Sequence, residues 1–477
     1  MIIGSEILDE NVLTISYYNS DGKIDFIKKR LVDHELFNWV ESATPTNTKN
    51  WDNKYVKKSK SIGKYINQFR IQELIQEKLT TAELDAIYSF DNLPKKTYLD
   101  IEIKLIDDSF PDPERARMPV GLISFCNEDN ITYILSIFNS EEQPDGLSAE
   151  DIVRMEKEVN EYFRKTVPLS PQDKWLFEQE FKIKYKFFKT EEELLEFYFH
   201  NLVPKFSFVT GWNVTDFDWK YLMNRSKNVK VDSTAKLPST SLISKNKIPA
   251  HLGVLDYMQV FEKLKPYKVV ENYKLDYIAG IVLGVAKLKH PYPTFLSFQK
   301  DTYLFTLYNV VDVILVKLIE DKLSLLDVAY SIANVAQVEV NKVFSPVYIA
   351  EILMCREFLN KGQRMMKLPW GEQNTEDGTY EGAYVKKPIP GHYNYIACYD
   401  FSSMYPNIQI QFNISPDTYL GKIGKVKVKG NEIHTKNDTY FSNDSDSVAR
   451  TILTRLYDER IKTQGEIKTL KNAKKNG

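Results

Sequence analysis

Cysteine is scarce: Cys126, Cys355 and Cys398 are the only three in 477 residues. They are odd in number and far apart, no Cys-x-x-Cys occurs and no histidine pair accompanies them, so neither a disulfide framework nor a zinc site is expected. Any metal should therefore be held by oxygen. No apolar run approaches the length of a membrane span, and Met1 to Arg30 lacks the basic-then-apolar layout of a signal peptide, so the expectation is a cytoplasmic protein without a membrane partner. A large excess of either charge is missing too. The formal net charge of −2 argues against indiscriminate binding of polyanions and leaves that task to local basic surfaces.

What is present is ordinary soluble-protein material, 43% hydrophobic and 27% charged. The length allows about two to four domains, each with its own core. Lys54, Lys57, Lys58, Lys60 and Lys64 are interleaved with Trp51, Tyr55 and Tyr65, which suits either a surface for a nucleic-acid strand or a solvated loop. From Arg455 to Gly477 seven Lys and Arg face Asp458, Glu459 and Glu466, a clear basic excess. Residues 1 to about 95 open with short alternating strands and a hairpin signal at Asn19-Ser20-Asp21-Gly22, followed by helical patterns around Ile71 to Leu84.

Three stretches carry carboxylates in suggestive places. In Tyr98-Leu99-Asp100-Ile101-Glu102-Ile103-Lys104-Leu105 the alternation of a strand puts Ile101, Ile103 and Leu105 on one face and Asp100 with Glu102 on the other. Phe208 to Asp218 reads as an apolar strand, a turn at Gly211-Trp212-Asn213, and a helix beginning near Asp216 with Asp218 in its first turn. Leu304, Leu307, Val311, Leu315 and Leu318 recur at helical spacing, with Tyr308 and Asp312 one turn apart at the edge of that stripe. Each piece alone also has a plain structural reading: an edge strand with a polar face, a helix-start charge, an amphipathic margin.

Together they resemble the Asp-x-Glu, Asn-x₂₋₃-Phe-Asp and Tyr-x₃-Asp series of the DnaQ-like 3′ to 5′ exonucleases, in the proofreading form found in family B DNA polymerases. Gly211-Trp212-Asn213-Val214, Phe217-Asp218, and Phe110-Pro111-Asp112-Pro113 resemble the T-even-phage branch of that family. The resemblance implies that Asp100, Glu102, Asp218 and Asp312 hold metal and that Tyr308 orients a water. Four carboxylates brought within about 4 Å of one another would repel by on the order of 4 kcal/mol per pair at an effective dielectric near 20, so cations are needed. Two Mg²⁺ or Mn²⁺ ions roughly 3.5 to 4 Å apart would lower the pKa of one water and stabilise the departing 3′ oxygen. Asp256 and Asp276, in Gly253-Val-Leu-Asp-Tyr-Met and Tyr273-Lys-Leu-Asp-Tyr-Ile, are expected to be structural. The polar segment Lys227 to Pro249 stands where the phage enzymes carry a strand-separating β-hairpin.

A fourth stretch lies late in the chain. Asn394-Tyr395-Ile396-Ala397-Cys398 suggests a buried strand delivering Asp400 to its end, followed by a turn and a helix started by Pro406. Asp400-Phe401-Ser402-Ser403-Met404-Tyr405-Pro406, with Asn413-Ile-Ser-Pro-Asp-Thr after it, resembles motif A of the same polymerases. That resemblance implies metal binding by Asp400, a triphosphate cradled by Phe401, Ser402, Ser403 and Met404, and exclusion of a ribose 2′-OH by Tyr405. Asn407 stands where the family usually has serine. Tyr380-Glu381-Gly382-Ala383 resembles the linker between nuclease and palm. Arg460, in Asp458-Glu459-Arg460 of a helix expected from Val448, matches the family's triphosphate-binding arginine, while Gln464 replaces the lysine expected one turn later.

The implied fold is an α+β and α/β multidomain assembly. It comprises an N-terminal β-rich domain (1–95, completed by 325–370), an RNase H-like, DnaQ-type exonuclease domain (96–324), a partial palm (371–447) and the start of a fingers helix (448–477). The family's second basic fingers helix, Asp-Thr-Asp motif and thumb are not in this sequence. The expectation is thus the N-terminal part of a DNA-directed DNA polymerase of viral replication, in the host cytosol. It would act on primer-template, single-stranded 3′ ends and dNTP, with a second polypeptide carrying the remaining polymerase half and with room for a sliding clamp. The alternatives are an inert DNA-binding or scaffold subunit, or an incomplete product of a polymerase gene.

Overall fold

Strand pairing begins at the first residues, where Ile2–Leu8, Val12–Tyr18 and Ile24–Arg30 form an antiparallel sheet in sequence order. The hairpin expected at residues 19–22 closes as read: Tyr18 pairs with Ile24, and the Gly22 N–H donates to Asn19 O at 2.9 Å. Gly22 has φ +68°, and a Cβ there would stand 2.5 Å from Leu93 O, so both conformation and space require glycine. The computed structural model describes residues 1–8, 11–52, 54–61, 65–88, 93–141, 143–237, 242–243, 248–249, 252–366, 385–422, 424, 426, 430–435 and 438–476. Lys64 and Tyr380 to Ala383 lie outside the described residues. Two compact units emerge, Met1–Leu31 with Leu79–Ile349, and Val32–Lys78 with Ala350–Gly477.

The first unit is built on a six-stranded mixed sheet ordered Gly253–Asp256, Phe208–Gly211, Lys96–Ile103, Val120–Asn127, Ile131–Ser136 and Lys182–Phe187. Pairing is parallel among the first three strands, antiparallel across the next two junctions, and parallel again at the far edge. Phe208–Gly211 and Gly253–Asp256 are buried at every residue, as befits parallel strands covered on both faces. Lys96–Ile103 is a central strand, which corrects the edge-strand alternative: Tyr98, Leu99, Ile101 and Ile103 are buried and demand neighbours on both sides. On one face a large apolar core gathers Leu99, Ile101, Val209, Val214, Trp219 and Leu222 among others.

Helix Thr302–Leu323 packs against Lys96–Ile103 and Val120–Asn127. Contrary to the sequence reading, this segment is long and apolar enough to cross a membrane by composition. Within the fold, 89% of its apolar window is buried, the signature of a core helix. Helix Asp218–Asn228 begins two residues later than Asp216, because residues 212–217 are turns. In the polar segment, Leu242–Ile243 and Ile248–Pro249 form a short antiparallel ladder, with residues 244–247 outside the described residues.

The second unit holds the antiparallel pair Phe37–Glu41 and Val56–Lys60, helix Gln68–Lys78, most of helix Pro346–Asn360, helix Met404–Gln411, and helix Val448–Asn476, which starts where expected. A small core of Phe358, Val448 and Ile452 takes in Trp51, Leu353 and Leu456, so Trp51 packs inward rather than standing as a free ring. Lys57, Lys58 and Lys60 are exposed, whereas Lys54 pairs with Glu41 and Asp52. The strand expected at residues 394–398, ahead of Asp400, is absent. These residues form no sheet, and Tyr395, Ile396 and Tyr399 are exposed. The physical reason is a want of partners: an extended segment becomes a strand only beside another, and no described strand lies there to satisfy its backbone.

Candidate active site

The carboxylates of the first unit are delivered by three different elements. Asp100 and Glu102 alternate with buried Leu99, Ile101 and Ile103, so both leave the strand on the half-exposed face. Gly211 lets the next strand approach, since a Cβ there would stand 2.2 Å from Leu99 O. The chain then turns through Asn213 at φ +62°. Asp256 holds that turn by accepting from the backbone N–H of Asn213 at 3.1 Å and of Thr215 at 3.2 Å while capping helix Tyr257–Leu264, the structural role expected of it. Asp218 opens its helix, and its Oδ1 accepts from the Ile101 N–H at 3.0 Å, locking the helix start to the strand between Asp100 and Glu102.

Helix Thr302–Leu323 brings Tyr308 and Asp312 to the same place, both buried. One oxygen each of Asp100, Glu102 and Asp312 lie within 4.8 Å of one another. Asp218 is not in that group of three; it stands beside Asp100, whose charge contributes to its shifted pKa. Burial, and then the charge of Asp312, push Asp100 up to about 8. Glu102 is raised well above the usual carboxylate range by burial and then by Asp100 and Asp312. Asp218 is likewise raised by burial and then Asp100, and Asp312 is lifted to about 6 by burial. Like charges 4.8 Å apart repel by on the order of 3 kcal/mol at an effective dielectric near 20, and bound cations would relieve the cluster.

Two donors that the sequence reading missed complete the site. Asn309 Nδ2 donates to Asp100 Oδ2 at 2.6 Å, and Lys287 Nζ lies 2.5 Å from Asp312 Oδ2 and 4.9 Å from the Tyr308 ring centre. Burial lowers the Lys287 pKa, but Asp312 and then Tyr308 outweigh it and raise it overall. Tyr308 is pushed up to about 12 by burial and then Asp312, so the phenol keeps its proton. Asp276, expected to be structural, accepts from the Lys287 backbone N–H at 2.6 Å. Adjacency to Tyr308 was the one signal for Asn309. Lys287 offers none, because an ion pair across a loop has no periodicity.

An all-oxygen set of clustered carboxylates suits hard divalent cations such as Mg²⁺ or Mn²⁺. Asp312 fits that use in detail: it is 3% exposed, and its Oδ1 is buried without a hydrogen-bond partner. Close by, Phe110 is 83% exposed with its ring 6.1 Å from that of Phe217, the residue before Asp218.

The second unit places Asp400 differently. Asp400 is exposed in an unpaired segment, and Phe401 and Tyr405 are 79% and 71% exposed. The turn is present: Ser403 has φ +50°, and Asn407 donates to Ser402 O at 2.9 Å, a use for the amide that replaces the family's serine. The helix begins at Met404 rather than Pro406, with Pro406 inside its first turn, where a missing N–H is harmless. Arg460 Nη1 donates to Ser403 Oγ at 2.8 Å, so the sequence-matched arginine and the turn do meet, within this unit.

The sequence profile described as "DNA polymerase family B, exonuclease domain" matches residues 21–278, and that described as "DNA polymerase family B" matches residues 346–476. Among curated relatives, the DNA-directed DNA polymerase of Escherichia phage RB69 is 29% identical over 77% of this chain and 41% of its own length. That of Enterobacteria phage T4 is 24% identical over 67% of this chain and 36% of its own. The DNA polymerase catalytic subunit of Saimiriine herpesvirus 2 is 28% identical over 49% of the chain and 25% of its own length. The chain therefore spans about two fifths of the phage relatives it matches.

Proposed function

Because this chain belongs to the family B DNA polymerases, we propose that its first unit is a 3′ to 5′ exonuclease acting on single-stranded DNA ends, with two divalent ions. The observation that carries the reading is the convergence of Asp100, Glu102 and Asp312 within 4.8 Å, with Asp218 alongside and an unpartnered buried oxygen on Asp312. Asp100, Glu102, Asp218 and Asp312 would hold the ions. Bound there, Mg²⁺ or Mn²⁺ would supply the Lewis acidity for activating a water and for neutralising charge on the departing 3′ oxygen. Tyr308 keeps its proton and orients the attacking water through its hydroxyl. Asn309 fixes one oxygen of Asp100, leaving the other for metal. Phe110 offers an exposed face on which a base near the 3′ end can stack.

The sheet order and the three acidic motifs support reading residues 96–324 as an RNase H-like, DnaQ-type domain. The remaining division is an N-terminal domain of residues 1–95 completed by 325–370, which draws on both compact units, a partial palm over 371–447, and the start of a fingers helix over 448–477. In the palm, Asp400 is a metal ligand of the polymerase reaction, residues 401–404 and Arg460 hold the dNTP triphosphate, and Tyr405 faces the sugar. Polymerisation on primer-template requires a second polypeptide that covers the exposed Tyr395, Ile396, Tyr399 and Phe401 and supplies further carboxylates. A sliding clamp is a further partner of the assembled enzyme.

The test is a 5′-labelled single-stranded oligonucleotide incubated with the purified chain and Mg²⁺. A ladder shortened from the 3′ end, abolished by chelation, is expected. Metal-independent DNA binding with no cleavage even at high Mn²⁺ would instead favour an inert scaffold, and robust primer extension by the chain alone would remove the need for a second polypeptide.

A further inference from the structure

We propose that Lys287 is a tethered counter-cation of the carboxylate cluster: it neutralises Asp312 while no divalent ion is held, and it must release Asp312 when metal takes that carboxylate. The inference rests on the exonuclease reading above. Its first support is charge. Asp100, Glu102 and Asp312 crowd within 4.8 Å, and among the described residues the Lys287–Asp312 contact is the one ion pair that reaches any of the three.

The second support is how Lys287 is presented. Helix Leu275–Leu283 ends on Gly284 at φ +79°, which turns the chain so that residues 285–287 run past the site. That segment is pinned at two backbone atoms, since Ala286 O accepts from Tyr162 OH at 2.6 Å and the Lys287 N–H donates to Asp276 Oδ1 at 2.6 Å. The backbone is thus anchored while the side chain, 27% exposed, keeps a route to solvent. An anchored root with a partly exposed side chain suits a group that alternates between two positions.

The third support is the contrast with Asn309. Asp100 Oδ2 is held by a neutral amide, which can remain when a cation binds the other oxygen. Asp312 Oδ2 is held by an ammonium, and a divalent ion bound at the open Oδ1 would face that positive charge across one carboxylate. Metal binding and the Lys287–Asp312 pair therefore oppose each other, and Lys287 is a positioning residue that sets metal affinity as well as the order of the metal-free site.

The experiment measures Mn²⁺ binding by titration calorimetry, and melting in EDTA, on the full chain with its natural residue and with Lys287→Met or Lys287→Arg. Lys287→Met should bind Mn²⁺ about tenfold more tightly, as loss of a competing charge would give. It should also melt earlier in EDTA and recover when Mn²⁺ is added. Lys287→Arg, which keeps the charge, should bind Mn²⁺ like the natural chain and so control for a packing defect. Unchanged or weaker Mn²⁺ binding by a folded Lys287→Met chain, against measurable binding by the natural one, would overturn the counter-cation role and leave the exonuclease reading standing. No Mn²⁺ binding by any of the three would contradict both.

Discussion

The two acidic centres in this chain are constructed in opposite ways. Around Asp100 the sheet, helix Asp218–Asn228 and helix Thr302–Leu323 each contribute carboxylate, and the strand that carries Asp100 is paired on both sides. Around Asp400 there is a turn, an eight-residue helix and a hydrogen bond from Arg460, but the residues leading in are unpaired and their rings are exposed. Burial raises the pKa values of the carboxylates of the first centre; Asp400 of the second is exposed. A family motif therefore identifies a centre without guaranteeing its packing; the first centre is packed among neighbouring elements, and the second lies exposed.

The contrast can be broken most forcefully at the metal ligands. Asp312→Asn should lower metal-dependent cleavage of single-stranded DNA by at least about 10³-fold and remove stabilisation by Mn²⁺ in a melting assay, because it takes away the carboxylate with the open oxygen. Next in size is stability. Glu191 grips Arg225 through two oxygens at 2.7 to 3.1 Å and also accepts from the Val120 N–H at 2.7 Å, all largely buried. Glu191→Ala leaves that guanidinium uncompensated and should cost about 3 kcal/mol in denaturant unfolding of the first unit.

A pH series sharpens the same comparison. Asp100, Glu102, Asp218 and Asp312 have folded pKa values above their unfolded ones, so the folded state binds more protons than the unfolded state between about 4 and about 8. Their contribution is fully present below the unfolded pKa and is lost as pH rises through the folded values. The melting temperature in EDTA should thus fall from pH 5 to pH 8, and Mg²⁺ should flatten that decline. Limited proteolysis should cut first within residues 385–401, where the backbone is unpaired and the side chains are exposed. The smallest effect belongs to Tyr405→Ala, which should change unfolding free energy by no more than about 0.5 kcal/mol, since its ring is 71% exposed.

Legibility in the sequence followed the physics of each element. Asp100 with Glu102, and Tyr308 with Asp312, could be placed on shared faces because strand and helix periods dictate those faces. The hairpin at residues 19–22 and the helix from Val448 were readable for similar local reasons. Lys287 and Asn309 could not be assigned, since their partners are more than 20 residues away in sequence and no period links them. The strand expected before Asp400 failed because β-propensity states only that a segment suits a sheet, and the sheet itself has to be provided by other segments. The apolar span at 302–323 escaped notice because Asp312 and Lys317 interrupt it in sequence, while the folded helix buries both.

The most direct test of the central claim compares Asp100→Ala with Asp400→Ala on one 5′-labelled single-stranded DNA in Mg²⁺. The account predicts that the natural chain and Asp400→Ala shorten the strand from its 3′ end at equal rates, while Asp100→Ala leaves it intact. Cleavage that survives Asp100→Ala, or that disappears in Asp400→Ala, would contradict it.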